Sequence, residues 1–108
     1  MKKLLFIFLL FSFSASADQM FQPPEDMVAK GKITYCATID NPPRAFADAE
    51  GNFQGFEIDL GEEIADRLGL KVEWEQMKFD GLIPSVQGQV CDAIVQELFI
   101  KPTRVEVI

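Results

Sequence analysis

Histidine is absent from the 108 residues. A Ser-His-Asp or Cys-His catalytic site, and most zinc sites, are therefore excluded within this chain. Cysteine is scarce. Cys36 and Cys91 stand too far apart for a C-x-x-C redox pair. An exported protein could join them in a structural disulfide, which requires their Cα atoms to come within reach; the sequence leaves this open. No G-x-G-x-x-G and no P-loop occurs. Basic residues are outnumbered, 10 against 17 acids, for a net charge of −7. That balance speaks against nucleic acid and anionic membrane surfaces as partners. Long apolar runs are missing too. The longest, "LLFIFLLFSF" over Leu4–Phe13, falls well short of the ~20 residues of a membrane span.

What that run has is the layout of a signal peptide. Met1-Lys2-Lys3 is a basic n-region, the apolar run is the h-region, and "ASA" at 15–17 offers small residues to a peptidase. Residues 1–17 are expected to be removed before Asp18. No Cys follows the h-region directly, so no lipid anchor and no stable membrane anchor are expected. Setting aside Lys2 and Lys3, two of the 10 basic residues, deepens the charge from −7 to −9. Residues 18–31, with Pro23-Pro24, suggest a linker and a short helical turn ended by Gly31. Residues 32–108 are long enough for one modest core.

Within that stretch, "ITYCAT" (33–38) is β-branched and aromatic, and predicts a strand. "IDNPPRAF" predicts a loop, because each residue before a proline is pushed out of the helical region. Turn chemistry at Glu50-Gly51-Asn52 predicts a small β-hairpin or an extended turn. "EIDLGEEIADRLG" predicts a helix with Leu60, Ile64 and Leu68 as its apolar stripe and Gly61 and Ala65 beside it. Glu57 and Asp59 suit its first turn, and Gly69 its end. Glu62, Glu63 and Asp66 fall opposite the stripe and predict a solvated face rather than acid–base pairs. "KVEWEQ" alternates strictly, as a strand does, with Val72 and Trp74 on one face. Asp80 is an expected N-cap. It opens a helix with Leu82, Ile83 and Val86 inward, Pro84 in or beside its first turn, and Gly88 at its end. "DAIV" (92–95) predicts a short buried parallel strand, and Pro102 the start of another helix. Two βαβ units in series imply an α/β fold with a parallel sheet and right-handed crossovers. No internal repeat or low-complexity segment interrupts them.

Ligands of open α/β sheets bind beyond the carboxyl ends of the strands, where strand order reverses. With the first strand central, that edge is built from the loops 40–46, 77–80 and 96–104. They carry Asn41, Arg44, Phe79, Gln96, Glu97, Phe99 and Arg104. Arg104, in the first turn of a helix, is a candidate for gripping a carboxylate with its planar fork. Phe79 is a candidate aromatic wall, Glu97 a partner for a ligand cation, and Arg44 a grip for a second anionic group. The bland alternatives are a solvated Arg104, a core Phe79, an exposed Glu97 and a loop-surface Arg44.

Four blocks, "GKITYCAT" with "NPPRAF", "GNFQGFEIDLGEEIADRLGLKVEW", "FDGLIPSVQGQVCDAIV" and "KPTR", resemble the extracellular solute-binding proteins of family 3. These are periplasmic receptors of polar amino-acid ABC transporters. The resemblance runs from Gly31 to Arg104. It implies a periplasmic-binding-protein type II fold, a three-layer α/β architecture with a parallel βαβαβ core, of which this chain is an incomplete first lobe. It also implies a small-molecule solute as ligand, an ABC permease as partner, a periplasmic location, no cofactor and no chemistry on the solute. Phe79 matches an aromatic that precedes the D-G-L-I-P helix, and Arg104 matches the Arg that binds the ligand α-carboxylate. Departures stand beside these matches. Asn41 and Arg44 occupy positions where aromatics are common, Gln96 and Glu97 positions of Ser or Gly, and Phe99 one of Thr or Ser. Two Arg and a Glu suit a ligand with more than one polar end, such as an organic acid or a modified amino acid. A periplasmic cyclohexadienyl dehydratase, with Glu97 as its acid or base, and the sensor module of a larger receptor or cell-wall enzyme are the competing readings. The chain is expected to be a truncation with half a cleft, and so to bind ligand weakly or not at all.

Overall fold

A computed structural model describes residues 22–108. The expected signal peptide, residues 1–17, and the start of the linker lie outside the described residues. Strand β1 (Lys32–Ala37) is buried from Ile33 onward, because it is the middle strand of a three-stranded parallel sheet. Its neighbours are β5 (Lys71–Gln76) and β6 (Ala93–Ile94), with Tyr35 in register with both Trp74 and Ala93.

Helices cover both faces, giving three layers. On one face Ile33, Tyr35, Ala65 and Val95 form a core with Leu68, Val72 and Trp74 beneath helix α1 (Phe56–Arg67). On the other, Cys36, Leu82 and Cys91 pack with Met77, Val86 and Ile94 beneath helix α2 (Leu82–Gln87). The alternation of β1 sends Ile33 and Tyr35 one way and Cys36 the other. Cys36 and Cys91 are disulfide-bonded, with Cα atoms 5.7 Å apart. That resolves the open question of their pairing and staples β1 to the segment leading into β6.

The helix α1 has its expected position but not its expected rotation. Its buried residues are Glu57, Ile58, Gly61 and Ala65, while Leu60 is 53% and Ile64 39% exposed. The cause lies across the interface. Tyr35 and Trp74 sit with ring centroids 5.0 Å apart under the helix, and a Cβ on Gly61 would fall 2.7 Å from Trp74 Cη2. Tyr35 also donates its hydroxyl to Gly61 O at 3.0 Å. Two large rings require the small strip above them, and the leucine strip is turned aside. Glu62, Glu63 and Asp66 are exposed as expected.

Other elements shift in detail. The stretch expected to be a loop contains β2 (Asp40–Asn41), which pairs antiparallel with β3 (Ala45–Ala47) across a cis Pro42–Pro43 bond. Of the hairpin or extended turn expected next, the hairpin is present, β3 pairing with β4 (Phe53–Gln54) around a turn held by Asp48. Asp80 is not an N-cap. It lies inside a 3-10 turn (Phe79–Gly81), and α2 begins after Gly81, which already has helical angles and leaves no break for a side chain to cap. The strand expected over 92–95 shortens to two half-buried residues, since β6 is paired on one side only among the described residues. Residues 22–31 form bends and a turn closed by Lys32 N–H on Ala29 O, and the expected helical turn is not present there. Pro102 opens a four-residue helix, α3 (Pro102–Val105), as expected.

Candidate functional site

The sheet order places the ends of β1, β5 and β6 side by side, so the three loops that leave them share one edge. A cleft of about 370 Å³ opens there, lined by Thr38, Asp40, Asn41, Arg44, Lys78, Phe79, Gln96 and Glu97. Five of the seven candidate residues thus meet. Arg104 joins from α3, its guanidinium carbon 5.5 Å from the Phe79 ring centroid. This is a cation–π contact that holds the fork beside the cleft. Arg104 Nη1 also donates to Phe99 O at 3.1 Å. Phe99 is the exception: its carbonyl positions Arg104, but the residue is 68% exposed and does not line the cleft. A larger hollow of about 590 Å³, lined by Pro23, Pro24, Met27 and Leu70 among others, lies at the opposite end of the sheet and holds none of the candidates.

The cleft residues are engaged with one another. Gln96 Oε1 accepts from Thr38 N–H at 2.8 Å, which ties the loop after β6 to the end of β1. Arg44 and Glu97 form an ion pair across the rim. The two charges expected to meet separate ends of a ligand are therefore partnered with each other here. Both side chains stay partly exposed, 38% and 44%, so the pair is screened and weakly held.

Sequence reasoning missed Glu57. An acid in the first turn of a helix is ordinarily a solvated partner of the dipole. Here it is 5% exposed, and Oε1 accepts from Glu97 N–H at 3.0 Å. Oε2 is buried with no hydrogen-bond partner among the described residues. Burial raises its pKa above the ordinary value and the Arg44 charge opposes that rise. The signal was the small-residue strip: had Gly61 and Ala65 been taken as the core face, Glu57 would have fallen inside. Its position is set by Gly55, whose φ of +119° suits glycine. A Cβ there would lie 2.1 Å from Arg44 O. That close approach lets Glu57 N–H reach Arg44 O at 3.0 Å.

Among the described residues no cluster of three His, Cys, Asp or Glu side chains is placed to hold a metal ion. No helix there is long and apolar enough to cross a membrane.

Strand order, three converging loops and an arginine stacked on an aromatic describe a ligand-binding lobe, and comparison gives its class. The family profile described as bacterial extracellular solute-binding proteins, family 3, matches residues 33–108. The chain belongs to this family, and its α/β lobe is part of a type II periplasmic-binding-protein fold. Among particular relatives, the lysine/arginine/ornithine-binding periplasmic protein of Escherichia coli (strain K12) is 36% identical over 103 residues, 95% of this chain and 37% of its own length. The octopine-binding periplasmic protein of Rhizobium meliloti is 35% identical over 76 residues, 70% of this chain and 26% of its own. Arginine-bound domain 1 of TmArgBP superposes with a TM-score of 0.67 at 39% identity, covering 70% of this chain and 60% of that domain. The chain thus spans well under half the length of these curated relatives.

Proposed function

We propose that this chain supplies the carboxylate-gripping half of a periplasmic receptor for an amino acid carrying a second polar end, which it presents to an ABC permease. The observation that carries the reading is Arg104 held over Phe79 beside a cleft edged by Glu97 and Arg44. In this reading the Arg104 fork takes the α-carboxylate through two parallel hydrogen bonds. Phe79 is the wall against which the ligand lies, Asn41 and Gln96 offer amide groups, and Glu97 or Arg44 meets the far end. Relatives named for lysine, arginine, ornithine and octopine support a ligand of that kind. Export by residues 1–17 would place the receptor where such solutes arrive. Glu97, the one acid nominated for a dehydratase, is tied to Arg44, and nothing in the cleft favours chemistry over binding.

The test is a titration of the 15N-labelled chain with L-arginine, with succinate as comparison. Arginine is expected to shift the amides of Phe79, Gln96, Glu97 and Arg104 weakly, since a second lobe would make further contacts. No shift at millimolar arginine, or equal shifts from succinate, would overturn the amino-acid reading.

A further inference from the structure

Arg44 has one carboxylate as its partner at the cleft rim, and a second carboxylate, Glu57, is bonded to the backbone of that residue. Arg44 is paired with Glu97. Glu57 lies alongside, its N–H on Arg44 O at 3.0 Å, and its carboxyl responds to the Arg44 charge. Glu57 uses Oε1 to hold Glu97 N–H at 3.0 Å. Its Oε2 is buried and unpartnered among the described residues. An acceptor left dry and unpaired is unfavourable, and the cation able to satisfy it is the neighbour already engaged elsewhere.

We infer that Glu57 is a second seat for Arg44: when Glu97 turns to a cationic group in the cleft, the Arg44 guanidinium transfers to Glu57 Oε2. The present pair is exposed enough to exchange readily. The backbone need not move, because Glu97 N–H stays on Glu57 Oε1 throughout. Charge favours the exchange. Ionised Glu57 and Glu97 with Arg44 sum to one negative charge, which a ligand cation cancels. The transfer also removes a positive charge from the path of that cation. A ligand lacking a cationic end leaves Arg44 on Glu97 and gains nothing. Glu57 is therefore a positioning residue that favours cationic ligands through Arg44. Only this consequence rests on the amino-acid reading above; the seat itself belongs to the protein without ligand.

The test follows water exchange of the Arg44 Nε–H by NMR in the wild-type chain, Glu97→Gln, and the double variant Glu57→Gln/Glu97→Gln. Glutamine at 57 keeps an acceptor for Glu97 N–H, and the amide spectrum reports folding. Glu97→Gln is expected to leave exchange within about twofold of wild type, and the double variant to speed it about fivefold, as loss of a partly exposed ion pair would. Equal acceleration in the single and double variants would overturn the proposal, as would slow exchange in both. Should the double variant not fold, Glu97→Gln decides alone: exchange as fast as that of an unpaired arginine in a short peptide sinks the second seat.

Discussion

Two carboxylates join loops to the parallel sheet at its opposite ends, and they are wired differently. At the N-terminal end of β1, Asp92 uses both oxygens: Oδ1 accepts from Val28 N–H at 2.6 Å and Oδ2 from Thr34 N–H at 2.7 Å. Its own N–H closes the joint on Thr34 O at 2.8 Å. At the other end Glu57 binds one N–H and keeps Oε2 unpaired. The Arg44–Glu97 ion pair at that end is partly exposed, and so is Phe79, whose ring Arg104 contacts. One end is a joint with both carboxylate oxygens engaged. The other keeps capacity in reserve, as the proposed ligand surface would require.

Predictions that break the closed end come first in size. Reducing the Cys36–Cys91 bond opens a loop of sequence separation 55 and is expected to lower stability by about 4 kcal/mol by the chain-entropy relation. Denaturant unfolding with and without reductant measures it. Asp92→Ala strands the N–H groups of Val28 and Thr34, the latter buried, and should cost about 2–3 kcal/mol. Loss of amide protection at Thr34 would locate the damage.

Smaller effects probe the open end. Burial holds the Glu57 pKa above its ordinary 4.5, against the pull of Arg44. A carboxyl raised in the folded state contributes stability that is fully present below its unfolded pKa and lost as pH rises through the folded value. Glu57→Gln should therefore gain on wild type as pH climbs from about 4.5, and a gap that widens toward acid would contradict that sign. Arg104→Ala touches only exposed contacts and should move stability by less than about 0.5 kcal/mol. It should nevertheless abolish arginine-induced shifts at Phe79. An unchanged titration would remove Arg104 from the site.

The same contrast explains what was legible in the sequence. The β-branched run of β1 and the strict alternation of "KVEWEQ" report local geometry, so the parallel core could be read from them. Topology then dictated that loops 40–46, 77–80 and 96–104 share an edge, and the cleft gathers five of the seven candidate residues from them. The rotation of α1 was not legible. Leu60 and Ile64 mark a convincing stripe, and only the Tyr35–Trp74 pair, distant in sequence, decides against it. Glu57 was missed for the same reason, since its burial follows from that rotation. Phe99 left the set because its carbonyl, not its ring, meets Arg104, a distinction that residue type does not carry. β2 was hidden by the prolines beside it, which read as loop whether or not two residues pair.

Gly55 carries a consequence for how this protein can vary. Its missing side chain is what presses Arg44 O against the start of α1, so one position fixes the spacing of Arg44, Glu57 and Glu97 together. In a library saturated at every site, the charged rim could drift residue by residue toward new ligands while position 55 returned glycine alone. The diversity available to the cleft is gated by a residue that touches no ligand.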